Sequence, residues 1–228
     1  MADYPAIILC RYSSRRLPGK TLMDTADRPM LDYVVQTLQH SDSVSQILIA
    51  TSDDASDDPI AAHCRQRGVA CVRGDLHNVA GRFLMAMDSV QANAVFRVNG
   101  DSPLINRELF RLAADRFDRD DPDLVSNVFP RTYPPGMSVE LLRVESFRKA
   151  YQAFDSPACF EHVTRFFYDH AERFHIENID NDTDLSSLHA AVDTLEDWQR
   201  VDAVLKSMGR KHWVYSIDQV VSRLRDTA

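Results

Sequence analysis

Glycine is scarce in this sequence, and its scarcity excludes two common classes of nucleotide-binding site. Seven glycines are spread over 228 residues, and none of them forms the G-x-G-x-x-G pattern of a dinucleotide-binding turn. The tripeptide Gly19-Lys20-Thr21 matches the end of a P-loop, but Ser14 stands where the P-loop needs its first glycine. A P-loop NTPase and a dinucleotide-binding Rossmann domain are therefore both excluded.

The chain also lacks an excess of positive charge, long apolar runs and paired cysteines. Lys and Arg number 26 against 34 Asp and Glu, so a net charge of −8 argues against nucleic acid or an anionic membrane as a partner. No stretch approaches the about 18 apolar residues of a membrane span, and the N-terminus lacks the pattern of a signal peptide. Four cysteines show neither C-x-x-C nor zinc spacing, so we expect a reduced, cytoplasmic protein.

What is present is a regular alternation of short apolar runs and amphipathic stretches. Strands are predicted at 6–10, 46–50, 70–72, 94–98, 124–128 and 138–142. Helices are predicted at 29–40, 58–68, 79–90, 107–117, 196–209 and 216–225. Gly209 is expected to cap the fifth of these helices. The alternation predicts an α/β fold with a mainly parallel sheet and helices on both faces, formed by one domain over 1–228 with a small proline-rich arm at 128–142.

A basic loop follows the first predicted strand. Residues 10–22, CRYSSRRLPGKTL, contain three arginines and a lysine. Ligands of open α/β sheets bind beyond the carboxyl ends of the strands, which is where this loop lies. Lys20 is the only lysine in the first 148 residues, so a solvated surface loop is the weaker interpretation. We predict that Arg11, Arg16 and Lys20 surround a polyphosphate.

Two aspartates also follow strand-like runs. Asp101 is either a helix N-cap or a ligand of a hard cation such as Mg²⁺, and Asn106 is the better-placed cap. Asp193 follows the strand-like run 189–192 and precedes Thr194, which is expected to cap the next helix. If the sheet brings the two carboxylates together, they repel each other without a cation. We therefore expect Asp101→Asn to leave the empty protein equally or slightly more stable.

Several of these segments resemble the signature blocks of the sugar-activating cytidylyltransferases. The blocks are AIILCRYSSRRLPGKTL, ATSDD, RG at 73–74, GDSPLI and VDTLEDW. In order and spacing they are most similar to the family named for the SpsF spore-coat polysaccharide biosynthesis protein, which is related to CMP-octulosonate and CMP-sialic acid synthetases. RTYPPGMSVELL and EHVTRFFY also have counterparts there. The resemblance covers residues 5–200 and implies a Rossmann-like three-layer α/β/α nucleotidyltransferase fold of the GT-A-like type.

The resemblance also implies an activity and the residues that perform it. The protein would transfer CMP from CTP to an acidic sugar or a similar small acceptor and release pyrophosphate. The implied nucleotide-binding residues are Arg11, Ser13, Arg16, Lys20, Ser52, Asp53, Arg73 and Arg82. Among them, Arg73 would approach the cytosine, with Ser52 and Asp53 near the base or ribose. The implied Mg²⁺ ligands are Asp101 and Asp193, and the implied catalytic residues are Arg16, Lys20 and Asp101.

Acceptor contacts, self-association and two other functions stay open at this point. The candidate acceptor-binding residues are Arg131, Tyr133, Gly136, Glu140, Glu161 and His162. The pair Glu161-His162 also has a purely structural interpretation, since His162 is equally well explained as a half-buried helix residue. The arm is also a candidate dimer contact, because Phe129, Tyr133 and Met137 are apolar, and we expect a homodimer. The alternatives to a cytidylyltransferase are a metal-dependent glycosyltransferase that uses a nucleotide-sugar donor and a catalytically silent nucleotide-binding subunit.

Overall fold

The main sheet has seven strands, and four of its six neighbouring pairs are parallel. The structure is a computed structural model that describes residues 3–227. The strands are β1 (Tyr4–Leu9), β2 (Asp24–Thr25), β3 (Arg28–Pro29), β4 (Val44–Ser52), β5 (Ala70–Gly74), β6 (Ala94–Asn99), β7 (Leu124–Ser126), β8 (Glu140–Arg143) and β9 (Ile176–Asn178). The sheet has the order β5-β4-β1-β6-β8-β7-β9, in which β8 is antiparallel to both neighbours, and β2 and β3 form a separate hairpin. The predicted mainly parallel mixed sheet is confirmed.

Helices cover both faces of this sheet. They are α1 (Met30–Gln39), α2 (Asp58–Arg67), α3 (Val79–Asp88), α4 (Arg107–Asp120), α5 (Val144–Gln152), α6 (Pro157–Glu161), α7 (Arg165–Asp169), α8 (Leu195–Lys206) and α9 (Ile217–Asp226). Successive residues of β1 face opposite sides, so Ile8 packs into the core with α1, α4, α8 and α9, and Ile7 into the core with α3 and α5–α7. This arrangement is the predicted three-layer α/β/α fold. Within residues 3–227, no helix is long and apolar enough to cross a membrane.

Three local predictions differ from the structure. The strand-like run 189–192 joins no sheet, because it is held by single backbone hydrogen bonds to separate loops instead of by a strand ladder. Helix α8 ends at Lys206 with Ser207 as its C-cap, so Gly209 lies beyond the helix and does not cap it. Helices α5, α6 and α7 were not predicted. Helices α6 and α7 have five residues each and are too short to show helical periodicity, whereas α5 has nine.

The segment that was predicted to form an arm is folded back onto the domain. It connects the adjacent antiparallel strands β7 and β8, and the Asn127 side chain accepts a hydrogen bond from the Val139 nitrogen at 2.9 Å and donates one to the Met137 oxygen at 2.8 Å. Tyr133 and Met137 are buried in the core, and only Phe129 is exposed, at 42%. Burial removes two of the three apolar side chains on which the dimer prediction rested.

Candidate active site

A cavity of about 480 Å³ opens at the carboxyl ends of β1 and β6, which are adjacent and parallel with Leu9 opposite Asn99. The loop after β1, the first turn of α3 and the segment around Asp193 complete its wall. The charged side chains that line it are Arg11, Arg15, Arg16, Lys20, Arg82, Arg97, Asp101, Glu161 and Asp193. Six of these are cationic and three are anionic, so the cavity is locally positive in a protein of net charge −8.

The loop after β1 is closed on itself at its base. The Gly19 nitrogen donates to the Tyr12 oxygen at 2.8 Å, and the Tyr12 nitrogen donates to a carboxylate oxygen of the buried Asp57 at 2.7 Å. Gly19 has a φ of 75°, a left-handed conformation that glycine adopts without strain, and a β-carbon there would be 3.0 Å from the Tyr12 ring. This turn delivers Lys20 to the floor of the cavity at the start of a short 3-10 turn.

Lys20 is a buried lysine whose ammonium group is fully hydrogen-bonded. Its side chain donates to Asp101 at 2.8 Å, to the Val192 carbonyl at 2.7 Å and to Asp193 at 3.0 Å. An ammonium group has three N–H donors, and all three are used. With 7% of the residue exposed, Lys20 is not the solvated surface lysine that the sequence left open.

Gly136 explains how Asp193 reaches this floor. The Pro135 carbonyl accepts hydrogen bonds from the nitrogens of Ala190 and Ala191 at 2.7 and 3.0 Å, so the segment before Asp193 crosses directly over the glycine. Gly136 has a φ of 98°, and a β-carbon at this position would lie 2.2 Å from the Ala191 nitrogen. Gly136 was expected to contact the acceptor, but its position makes it a packing residue that allows this close approach.

The two predicted metal ligands, Asp101 and Asp193, both contact the Lys20 ammonium. The expectation that their carboxylates repel each other in the empty protein is therefore wrong. Because a buried ammonium lies between the Asp101 and Asp193 carboxylates, their mutual repulsion is already offset in the empty protein. Neither carboxylate caps a helix. Asn106 caps α4, and Thr194 forms a capping box with Asp197 at the start of α8, as the sequence predicts.

Arg82 provides a positive charge that is buried beside the cavity. It is 2% exposed, and its guanidinium donates to the main-chain carbonyls of Asp75 and Leu76 at 2.8 and 3.1 Å. Its Nε has no hydrogen-bond partner among the described residues. Burial lowers the pKa of Arg82, which reflects the cost of keeping this charge away from water. An anion bound in the cavity would offset that cost.

Two arginines at the mouth of the cavity are held by acids that phosphate could replace. Arg11 pairs with Glu161 at 3.0 Å, and Arg16 pairs with Asp193 at 2.9 Å. Both arginine side chains are more than two-fifths exposed, so these ion pairs contribute little stability and exchange readily. Glu161, which was expected to contact the acceptor, therefore holds Arg11 instead in this structure.

Four of the predicted nucleotide-binding residues do not line the cavity. Ser13 is exposed in the basic loop, and Asp53 is exposed beyond the end of β4. Ser52 is buried and donates both its hydroxyl and its nitrogen to Asp57. Arg73 donates to the Ser52 and Asp54 carbonyls and pairs with Asp58 at 2.8 Å. These contacts hold Ser52 and Arg73 at the carboxyl ends of β4 and β5, outside the cavity lining.

The candidate acceptor residues are dispersed. Tyr133 is buried in the core, and His162 is exposed outside the cavity, so neither is placed to contact a substrate there. Arg131 is half-buried and donates to the Ser138 hydroxyl at 3.0 Å. Glu140 is buried and accepts hydrogen bonds from Arg97 and from the Tyr168 hydroxyl. Glu140 therefore acts on the cavity only through Arg97, which lines it.

Several residues that line the cavity were not predicted from the sequence. Ser14, Arg15 and Thr21 belong to the basic loop, whereas Arg97 and Asn99 come from β6. Arg97 was detectable in principle, because a charged residue within the apolar run AVFRV of a central strand needs a partner or a ligand. The glutamate in SVELL is the matching signal on the neighbouring strand.

The arrangement of Asp101 and Asp193 fits a divalent ion. Each carboxylate contacts Lys20 through one oxygen, which leaves a second oxygen per carboxylate that does not contact the ammonium. No group of three His, Cys, Asp or Glu side chains within residues 3–227 is arranged to hold a metal by itself. Mg²⁺ is commonly held by one or two carboxylates plus substrate phosphates, so two are enough.

The fold and the cavity define a nucleotidyltransferase: a three-layer α/β/α domain with a cationic pocket and two converging carboxylates at the carboxyl ends of its central strands. Residues 5–208 match the cytidylyltransferase family, and the chain belongs to that family. It is a CTP-dependent enzyme, and neither the glycosyltransferase nor the silent-subunit alternative is favoured. The family resemblance stated from the sequence is thereby confirmed.

Individual proteins are similar to the chain over most of its length. The spore coat polysaccharide biosynthesis protein SpsF of Bacillus subtilis (strain 168) is 26% identical over 223 residues, which cover 92% of this chain and 90% of that protein. A 3-deoxy-manno-octulosonate cytidylyltransferase of Aeromonas salmonicida (strain A449) is 26% identical over 69% of this chain and 62% of its own length. The structure of a cytidylyltransferase from Leptospira borgpetersenii serovar Hardjo-bovis (strain JB197) has a TM-score of 0.92 at 23% identity, covering 99% of this chain and 95% of that one.

Proposed function

We propose that this cytidylyltransferase transfers CMP from CTP to a hydroxyl group of a small acidic sugar, with Mg²⁺ as its cofactor and pyrophosphate as the second product. The observation that carries the proposal is the contact of one buried ammonium, Lys20, with both Asp101 and Asp193 beside five cavity arginines. The similarity to a 3-deoxy-manno-octulosonate cytidylyltransferase and to a spore coat polysaccharide biosynthesis protein supports an acceptor of the octulosonate class and a role in polysaccharide biosynthesis.

The cavity side chains meet the requirements of an in-line displacement at the α-phosphorus. The acceptor hydroxyl loses its proton to solvent and its oxygen forms the new bond to the α-phosphorus. The bond from that phosphorus to the oxygen bridging to the β-phosphate breaks, so pyrophosphate leaves, and no covalent bond to the protein is needed. Arg11 and Arg16 exchange their acid partners for phosphate oxygens, which suit the planar guanidinium fork. Arg82 is buried and fixed, and its Nε–H has no hydrogen-bond partner within residues 3–227, so it stabilises developing negative charge without having to reorganise. Lys20 contributes through its charge alone, because its three N–H donors are already used.

Asp101 and Asp193 would hold the Mg²⁺ ion, since their oxygens are the hard ligands that this ion prefers. When bound, the ion offsets negative charge on the phosphate oxygens during transfer. Lys20 keeps the two carboxylates at their positions before metal and nucleotide arrive. The chain therefore holds its metal ligands in place at no cost in mutual repulsion.

A pyrophosphate-release assay tests this function. Wild-type enzyme with CTP, Mg²⁺ and a panel of acidic sugars, including 3-deoxy-manno-octulosonate, is expected to release pyrophosphate only when an acceptor is present. Lys20→Ala is expected to lower turnover by about two to three orders of magnitude, the usual cost of losing one preorganised charge-stabilising group. Release with UTP, ATP or GTP in preference to CTP would contradict the proposal, as would an absence of release with every acidic sugar.

Two further features belong to the proposal. A two-fold dimer is supported by Phe129, which is exposed and stacks on Tyr168 with ring centroids 5.0 Å apart, and light scattering tests it.

A cytoplasmic location is supported by four cysteines that are all unpaired: Cys10, Cys64, Cys71 and Cys159. Fractionation of cells that produce the full-length protein tests the location.

A further inference from the structure

Arg97 is the one cavity arginine that projects from a strand of the sheet. It lies on β6 two residues before Asn99 and four before Asp101, so all three side chains reach the same cavity. Its Nη1 donates to Glu140 at 2.6 Å and its Nη2 donates to Asn99 at 3.0 Å. Its Nε has no hydrogen-bond partner among the described residues. Of five guanidinium N–H donors, two are therefore used, and the side chain remains 18% exposed.

Glu140 fixes the direction of Arg97 from the neighbouring strand. The two residues are directly paired in the antiparallel register of β6 and β8. Glu140 is 2% exposed and also accepts a hydrogen bond from the hydroxyl of Tyr168, which in turn contacts the Ser126 hydroxyl at 2.8 Å. A buried carboxylate held by two donors restrains the guanidinium in one orientation. Arg97 is therefore preorganised, unlike the exposed arginines of the basic loop.

The surroundings of Glu140 carry a surplus of positive charge. Arg131 interacts electrostatically with Glu140 and Tyr168, and burial lowers the pKa of its guanidinium. Burial and the Glu140 charge raise the pKa of Tyr168, which keeps this hydroxyl neutral at physiological pH. One carboxylate thus balances the charge of two guanidinium groups, with Arg97 in direct contact and Arg131 acting from a greater distance. Such an arrangement favours an anionic ligand over a neutral one.

The position of Arg97 separates it from the groups that serve the triphosphate. Arg11, Arg16 and Lys20 come from the loop after β1, on one side of β6. Arg97 is held from β8, on the other side of β6. The loop cations and Arg82 already balance the charge of the nucleotide phosphates. The additional cation on the β8 side is therefore available to a different anion. Arg97 lines the same cavity as the loop cations, so an anionic ligand bound to it would lie beside the nucleotide phosphates.

We propose that Arg97 binds the acid group of the acceptor and that Glu140 is the positioning residue that holds it for this task. The inference rests on the proposed function, which it deepens by naming the residue that selects an acidic acceptor. It also explains why an arginine and a glutamate stand in the central strands, where apolar residues would pack better. Selection follows because a neutral acceptor leaves the guanidinium without its anionic partner.

Steady-state kinetics on the full-length enzyme test the inference. The acceptors are 3-deoxy-manno-octulosonate and its C1 amide, each measured with CTP and Mg²⁺. Arg97→Gln is expected to raise KM for the acid by roughly tenfold to a hundredfold, the cost of one charge-assisted hydrogen-bonded pair, and to leave KM for CTP unchanged. The C1 amide is expected to react equally with wild type and variant. Arg97→Lys is expected to be intermediate, because it keeps the charge but not the fork.

Two further variants guard against a misfolded protein. The double variant Arg97→Gln/Glu140→Gln removes both buried charges together, so it keeps a hydrogen-bonded pair and is expected to show the same acceptor defect. Arg116→Gln breaks a comparable pair with Glu177, at 2.8 Å and outside the cavity, and is expected to leave both KM values unchanged.

The outcomes separate this inference from the proposed function. If wild type uses the acid but the Arg97 variants keep its KM, or if KM for CTP rises instead, the assignment of Arg97 is wrong and the cytidylyltransferase function stands. If the wild-type enzyme transfers CMP to none of the acidic sugars, the acidic acceptor and the role of Arg97 are overturned together.

Discussion

The Lys20 ammonium lies 2.8 Å from a carboxylate oxygen of Asp101, 81 positions further along the chain. The same ammonium contacts Asp193, so one buried cation balances both acids in the empty protein. We predict that Asp101→Asn abolishes most turnover and also lowers the free energy of unfolding by about 1–2 kcal/mol, because a buried charged donor loses its charged acceptor. This replaces the expectation from the sequence that the variant is equally or more stable.

Urea denaturation and pyrophosphate release on the same protein preparations check this prediction. Asp115→Asn is the matched control, since it breaks an exposed pair with Arg111 on α4 and is expected to change neither quantity measurably. An Asp101→Asn protein that was as stable as wild type or more stable would show that Lys20 does not offset the charge of the two aspartates.

Gly136 provides a test of how Asp193 is placed. Gly136→Ala puts a β-carbon 2.2 Å from the Ala191 backbone nitrogen at a φ of 98°, so the segment that leads to Asp193 must move. We expect activity to fall by about tenfold or more and the protein to lose stability, because a displaced ligand costs orientation. Gly209→Ala is the control, since nothing lies within 4 Å of its β-carbon. Equal activity of both variants would contradict this account.

Arg82 is expected to matter for the nucleotide more than for the fold. Arg82→Met removes a buried charge whose pKa burial already lowers, so the empty protein is expected to keep its thermal stability or gain some. The increase in melting temperature on adding CTP is expected to shrink strongly, because the triphosphate loses a buried cation. Arg111→Met on the exposed face of α4 serves as the control. A destabilised variant with an intact response to CTP would assign Arg82 a purely structural role.

His212 predicts how stability depends on pH. Burial lowers the pKa of His212 to about 4, from an ordinary value of 6.5, and the ring contacts the Thr37 hydroxyl at 3.1 Å and the Tyr33 carbonyl at 3.0 Å. Between these two pKa values His212 binds a proton in the unfolded chain but not in the folded protein, so the free energy of unfolding falls as pH falls through this window. The contribution lost between pH 7 and pH 5 is about 2 kcal/mol. Urea denaturation of wild type and His212→Gln is expected to show a shallower fall for the variant, and parallel curves would contradict the prediction.

The sequence was sufficient to predict the helices and strands with a clear apolar periodicity. It was also sufficient for the loops whose position at the sheet edge follows from the α/β topology. The basic loop and Asp101 follow central strands, and a doubly wound sheet places both at the same edge, as the cavity lining bears out. Asp193 was predicted to lie near the same edge because a strand was expected before it. In the structure that segment is irregular and is hydrogen-bonded to the Pro135 and Asp101 carbonyls.

What the sequence could not supply is side-chain direction and register. The resemblance implied that Arg73 approaches the cytosine and that Ser52 lies near the base or ribose. In the structure neither residue lines the cavity, and hydrogen bonds to Asp57 and to main-chain carbonyls hold them at the ends of β4 and β5. The pairing of Arg97 with Glu140 depends on the register of two antiparallel strands that lie 43 positions apart in sequence. Gly136 is a similar case, since only the tertiary fold shows which backbone crosses it.

Phosphorus NMR of the complete reaction tests the central claim most directly. Enzyme, CTP, Mg²⁺ and 3-deoxy-manno-octulosonate are expected to convert the three resonances of CTP into one phosphodiester resonance of a CMP-linked sugar and one of pyrophosphate, in equal amounts. Formation of orthophosphate with CDP, or loss of CTP without a phosphodiester product, would contradict transfer at the α-phosphorus and with it this account of the cavity.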